Sequence, residues 1–251
     1  MGEINAHDKL GAYIIQYVRE LDLKTNLEIG SWDGTGATKC FIDAMKDFPE
    51  KSLTCLEIDK KKYNNLVKNV KEYSWVKCYN KSSIDCHKLI DFGFSRIWYS
   101  QFNPLVRFAD TREETVHQWY KNDIDVMKKY PDGFLEKDKT IYDAVLIDGG
   151  EFTGYFEFEL LKNRTNVFFL DDSFRSYKTN KAAVILSEDL EWDCIASELP
   201  FELIDWGLGM GSNIKIEDIP QHIRQAMLEH HNNVRNGFAI FKRKKFIEHG
   251  G

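Results

Sequence analysis

Apolar residues recur along the chain with two alternating periods. The segment HDKLGAYIIQYVREL carries Leu10, Tyr13, Ile14, Tyr17, Val18 and Leu21 at helical spacing, with Asp8 placed to cap its start. A short run of strand type, TNLEIG, follows, and then the helical segment GATKCFIDAMKDF. The alternation repeats with the strand SLTCLEID, the charged helix KKKYNNLVKNVKEY and the strand WVKCYNKSS. Strands separated by helices of this length predict a parallel sheet wound with crossover helices, and hence an α/β fold.

The alternation breaks from Ile84 to Thr140, before the strand YDAVLIDGG at Tyr142–Gly150. A structureless loop of that length does not suit a compact domain, so helices are expected there, around DTREETVHQWYKNDIDVMKKY. Beyond it come the helix YFEFELLKN, the strand TNVFFLDDS, the helix NKAAVILSEDL and the strand WDCIASEL. A further helix, EDIPQHIRQAMLEHH, precedes the last strand, NGFAIFKRKK. No repeat, low-complexity segment or Pro- or Gly-rich linker divides the chain, so residues 1–251 read as one domain with 84–140 as an insertion.

Composition narrows the function classes. With 251 residues, 43% of them hydrophobic, the chain can bury a sizeable core. Its net charge is −6 and its Lys and Arg residues are dispersed, which argues against nucleic acid as a partner. No apolar run approaches the roughly 18 residues of a membrane span, and MGEINAHDKL lacks the apolar core of a signal peptide. A cytoplasmic protein without a membrane partner is expected. Cys40, Cys55, Cys78, Cys86 and Cys194 show no CxxC spacing and read as reduced core thiols.

The candidate chemistry begins at LEIGSWDGTGAT, Leu27–Thr38, between the first strand and the next helix. Gly30, Gly34 and Gly36 let backbone N–H groups approach a ligand beyond the carboxyl ends of the strands. Their spacing is not the GxGxxG of dinucleotide binders, and the carboxylates of Glu28 and Asp33 would repel a pyrophosphate. Those acids suit a cationic ligand with an amino group, such as S-adenosylmethionine with its sulfonium and α-ammonium. Glu57 ends the second strand just before Ile58, where an acid accepts both hydroxyls of a ribose. Alone, the loop also reads as a tight strand-to-helix turn; Glu57 favours the nucleoside.

With these residues in place, the sequence resembles class I S-adenosylmethionine-dependent methyltransferases from about Thr25 to Leu190. EIGSWDGTGA is most similar to the loop of the macrocin type, which methylates sugar hydroxyls, and the match falls on Glu28, Gly30, Trp32 and Gly34. The resemblance implies a Rossmann-like, mostly parallel sheet of seven strands whose last strand is antiparallel and inserted beside the fifth. It further implies that Gly30, Ser31, Asp33 and Gly34 line the methionine end, that Glu57 holds the ribose, and that Ser82 and Ser83 lie near the adenine.

The fourth and fifth strands are apolar until they reach Asp148 and the pair Asp171 and Asp172. Taken singly, Asp171 reads as a helix cap and Asp148 as a turn residue. Together at one sheet edge, three carboxylates repel one another unless a cation sits among them or their pKa values rise. An all-oxygen set suits Mg²⁺, with Mn²⁺ or Ca²⁺ as alternatives. The resemblance points the same way, since metal-dependent sugar and catechol O-methyltransferases carry acids at these places.

An alcohol must lose its proton as it accepts a methyl group, which a bound cation at Asp148 and a nearby base would assist. The sugar family has a second acid two residues after the first, where this chain has Gly150. Glu151, one place later, is the candidate base; it reads equally as a first-turn acid favourable to a helix dipole. In the insertion, Trp98, Tyr99, Phe102, Trp119 and Tyr120 suit either a sugar-stacking surface or a core. His117, His222, His230 and His231 offer other bases or surface positions.

The leading reading is a cation-dependent O-methyltransferase of a sugar hydroxyl, in a small molecule or a glycan. Alternatives are a catechol-like acceptor, a metal-free small-molecule N-methyltransferase, and an inactive methyltransferase-like binding module. Assembly as a homo-oligomer and a place within a longer polypeptide are both compatible with the sequence.

Overall fold

Helix α1 (Lys9–Glu20) starts where the side chain of Asp8 accepts the Gly11 N–H, and it buries Leu10, Ile14 and Val18. The computed structural model describes residues 4–95, 113–173, 178–198, 221 and 237–248. Strand β1 (Thr25–Ile29), helix α2 (Ala37–Met45), strand β2 (Ser52–Leu56), helix α3 (Lys60–Val70) and strand β3 (Val76–Tyr79) follow in the expected alternation. Asp59 caps α3, accepting the Lys62 N–H at 2.8 Å.

The insertion contributes α4 (Cys86–Phe92), α5 (Glu113–Met127) and the short α6 (Phe134–Lys137). Then come β4 (Tyr142–Ile147), α7 (Gly154–Leu161), β5 (Thr165–Asp171), α8 (Asn180–Glu188), β6 (Trp192–Ser197) and β7 (Phe238–Arg243). Trp98, Tyr99, Phe102, His222, His230 and His231 lie outside the described residues, as does the helix expected at 217–231 apart from residue 221.

Among the described residues the strands form one seven-stranded sheet in the order β3-β2-β1-β4-β5-β7-β6. The first five are parallel, and β7 runs antiparallel between β5 and β6. Register decides what meets at the edge. Ile29 aligns with both Leu56 and Ile147, and Ile147 with Leu170, so the next residues, Gly30, Glu57, Asp148 and Asp171, emerge level with one another.

Both sheet faces are covered, which is why the strands read as near-continuous apolar runs. Every residue of β5 is buried. On one face Ile14, Val18 and Phe41 pack with Ala144, Leu146, Val167 and Phe169. On the other, Tyr120, Phe152 and Phe158 pack with Val145, Ile147, Phe168 and Leu170. Each fully buried side chain of this size contributes about 1.5–3 kcal/mol relative to exposure. The cysteines are all unbridged, with Cys40, Cys55 and Cys86 buried. No described helix is long and apolar enough to cross a membrane.

Helix α5 joins the second face through Val116, Tyr120, Ile124 and Met127. The Tyr120 hydroxyl donates to the Leu89 carbonyl at 2.7 Å, so this residue serves the core rather than an acceptor surface. Trp119, on the other side of α5, is 43% exposed. His117 stacks on the Phe94 ring at 4.2 Å.

Candidate active site

The loop after β1 is held against the sheet edge. Gly30 and Ser31 both donate backbone N–H groups to the Leu56 carbonyl, at 3.0 and 3.1 Å. Gly30 has φ +90°, and a Cβ there would lie 2.2 Å from the Asp148 carbonyl oxygen. Only glycine satisfies both the left-handed backbone and the close approach of the two strand ends. Gly34 faces away from that edge, where a Cβ would meet Leu66 of α3 at 2.8 Å.

Glu57, immediately beyond β2, fixes the loop from below. Its Oε2 accepts the Trp32 N–H at 2.8 Å and its Oε1 the Asp59 N–H at 2.7 Å. Burial pushes its carboxyl above the ordinary value, against these two hydrogen bonds and the charge of Lys62. Trp32 itself takes φ +51°, and its ring lies 3.2 Å from the Lys62 ammonium.

These groups border a cavity of about 610 Å³, within the range of sites that enclose a small organic ligand. Of the residues expected to bind a nucleoside cofactor, Gly30, Trp32, Glu57, Ile58, Ser82, Ser83 and Asp148 line it. Glu28, Ser31, Asp33 and Gly34 do not. Glu28 points sideways into the core, accepting the Thr38 hydroxyl at 2.6 Å and the Cys55 thiol at 3.4 Å. Burial pushes its carboxyl up to about 7. Ser31 is buried beneath the loop, and Asp33 turns outward to accept the Thr35 N–H and hydroxyl.

The three strand-end carboxylates do converge. Ligand oxygens of Asp148, Asp171 and Asp172 lie within 4.8 Å of one another, a spacing that one hard cation could span. The cation there belongs to the chain. Lys178 Nζ lies 2.5 Å from Asp148, 3.0 Å from Asp172 and 3.6 Å from Asp171. Burial disfavours the ammonium, but the charges of Asp148, Asp172 and Asp171 outweigh it and hold Lys178 well above its ordinary value. Burial pushes Asp171 well up, with Lys178 opposing and the other two acids adding. As folded, the three carboxylates are paired with that ammonium, which a divalent ion would have to displace.

Glu151 lies in the turn before α7, not in its first turn, and it is absent from the cavity lining. The acid in the first turn of α7 is Glu157 instead. Several charged lining residues escaped the sequence reading, three of them close to the strand-end acids or the Gly150 turn. Lys178 is one. Glu157 is fully buried and accepts the Ser83 hydroxyl at 2.5 Å. Asp123 reaches over from α5, its Oδ2 within 3.5 Å of where a Gly150 Cβ would stand. Burial, with the charge of Glu151 adding, pushes the Asp123 carboxyl up to about 6. In all, seven carboxylates and three lysines line the cavity.

Comparison with family models and with curated proteins gives no match. Solved structures match across nearly the whole chain. Cofactor-bound Rv0187 from MTB is 10% identical over 98% of this chain and 84% of that chain, with a TM-score of 0.50. A methyltransferase from Geobacter sulfurreducens is 10% identical over 96% and 81%, with a TM-score of 0.49. The O-methyltransferase from Bacillus cereus in complex with SAH is 13% identical over 96% and 84%, with a TM-score of 0.43. At these identities the likeness concerns the fold alone, a Rossmann-like α/β architecture.

Proposed function

We propose that the chain is an S-adenosylmethionine-dependent O-methyltransferase acting on a hydroxyl of a sugar or sugar-like acceptor. The observation that carries this reading is the acid-lined cavity over the strand ends, with Glu57 at the end of β2 facing the glycine loop. Each Glu57 oxygen accepts one backbone N–H, and a carboxylate offers about four lone-pair sites. Its remaining acceptor capacity suits a ribose diol. Ser82, Ser83 and Ile58 frame the adjoining wall, where the base of a nucleoside would lie. The excess of carboxylates favours a ligand with sulfonium and ammonium groups over one with a pyrophosphate.

Bound there, S-adenosylmethionine supplies an electrophilic methyl group on sulfur. The chain's own part is to orient the acceptor and take its proton. Asp123 stands on the α5 wall with Val126 and Met127, which makes the insertion the acceptor side of the cavity. A carboxyl raised to about 6 remains a carboxylate at neutral pH and is more basic than an ordinary one, so Asp123 is the base in this reading. Carboxylates around the mouth accept hydrogen bonds from a polyol, which favours a sugar over a flat phenol. No divalent ion enters the reading, because Lys178 occupies the place among the three acids.

Calorimetric titration with S-adenosylmethionine, followed by transfer of labelled methyl to a panel of glycosides and catechols, tests it. Absence of nucleoside binding would sink the proposal. Transfer to catechols alone would reassign the acceptor, and binding without any release of S-adenosylhomocysteine would make the chain a binding module.

A further inference from the structure

We infer that Lys178 is a built-in replacement for a divalent ion at the carboxyl edge of the sheet, so that the site works without added metal. The role assigned to the site rests on the methyl-transfer reading above; the way it is filled does not. Asp148 follows β4, Asp171 ends the adjacent β5 and Asp172 follows it, so the topology brings three carboxylates together. Such a set needs positive charge or raised pKa values, and one ammonium within 4 Å of all three supplies the charge.

The lysine is held in place from several sides. Thr179 donates its hydroxyl to the Asp171 carbonyl at 2.5 Å, and the Asn180 amide donates to the Ser173 carbonyl at 2.7 Å. The start of α7 closes on the Lys178 backbone so tightly that a Cβ at Gly154 would stand 1.9 Å from the Lys178 carbonyl oxygen. The Lys178 side chain is 7% exposed. These contacts fix the Lys178 backbone at the beginnings of α7 and α8, so its side chain starts from a set point.

An arriving Mg²⁺ would need carboxylate oxygens at about 2.0–2.1 Å. The same oxygens are within 2.5–3.0 Å of Nζ for Asp148 and Asp172, so ion and ammonium would compete for one space. Lys178 is thus a positioning residue. It fixes the three acids relative to the glycine loop, and it offsets part of their negative charge while leaving the cavity attractive to a cationic ligand.

The test is a titration of Mn²⁺ into the wild-type chain and into Lys178→Ala, followed by electron paramagnetic resonance and by melting temperature. S-adenosylmethionine binding is measured by calorimetry on the same samples. The wild type should take up no Mn²⁺ at this site and should keep full methyl transfer in EDTA. Lys178→Ala should bind one Mn²⁺ there, at least about 30-fold tighter than any residual wild-type uptake, the repulsion between a divalent ion and an ammonium some 4 Å apart under aqueous screening. It should also melt at a higher temperature when Mn²⁺ is present.

Three results would overturn the inference. One is wild-type Mn²⁺ binding that Asp148→Asn or Asp172→Asn abolishes. Another is loss of wild-type methyl transfer on chelation. The third is a folded Lys178→Ala that takes no ion. Should the Ala variant fail to fold, the two wild-type measurements decide the matter alone. A wild type that binds no S-adenosylmethionine would refute the methyltransferase reading and leave the Mn²⁺ comparison intact.

Discussion

Replacing Glu28 by Gln isolates a buried titration. Glu28 is 1% exposed, and burial lifts its carboxyl from 4.5 to about 7 in the folded chain. A carboxyl whose folded pKa exceeds its unfolded value favours folding when protonated, so its destabilising effect grows as pH rises through the interval from 4.5 to about 7. Working the two ionisations through gives a penalty of about 1 kcal/mol at pH 5 and about 3 kcal/mol at pH 8. Gln keeps an oxygen for the Thr38 hydroxyl, now at 2.6 Å from Oε2, and carries no charge at either pH. Relative to wild type, Glu28→Gln should therefore gain about 2 kcal/mol between pH 5 and pH 8. For a chain of this size that is a shift in melting-temperature difference of about 4–8 °C. Calorimetric melting of both proteins across that range measures it. A difference that stays flat with pH would refute the assignment of a carboxyl at Glu28 whose burial outweighs its hydrogen bonds.

Four other outcomes are expected. Glu57→Ala should weaken S-adenosylmethionine binding by about 2–3 kcal/mol, through the loss of two charge-assisted hydrogen bonds, and unchanged calorimetric affinity would remove Glu57 from the site. Asp123→Asn should lower turnover by about 10²–10⁴-fold with cofactor affinity retained, whereas Glu151→Gln should leave turnover near normal; the reverse pattern would return the base to Glu151. Because a base must be deprotonated, wild-type turnover should rise with pH through about 6, a limb that the residual activity of Asp123→Asn should lack. Gly30→Ala, with its Cβ 2.2 Å from the Asp148 carbonyl, should lower stability in urea by about 2 kcal/mol or more, and a neutral effect would mean that the strand ends can part.

The order of strands and helices was legible because each strand is an apolar run bounded by turn residues, and the crossover helices between them carry their own period. The sheet edge was legible too: Glu57, Asp148 and Asp171 stand where apolar runs stop, and register brings them level. Glu28 misled for a physical reason. It precedes the last residue of a strand buried on both faces, where alternation sends it sideways toward Thr38 and Cys55 instead of forward to a ligand. Lys178 could not be seen in advance, because its partners lie 30 and 6 residues away and only folding brings them together. Asp123 reads on α5 as one more acid of a solvated face, although its neighbour Ile124 is core. Its role depends on how that helix docks, which periodicity does not specify.

The position of β7 bears on how the protein comes into being during translation. Of the described strands, the last in chain order is the one that joins β5 to β6, and β6 has β7 as its sheet neighbour among them. Until Arg243 has left the ribosome, β5 and β6 both lack the strand that joins them among the described residues. At ordinary synthesis rates the interval between Ser197 and Arg243 lasts about 2–9 s, during which an apolar strand edge is available to other nascent chains. The sheet cannot close across β5, β7 and β6 before Phe238–Arg243 has been made. A stop codon placed a few residues before Phe238 would forfeit two strands, not one.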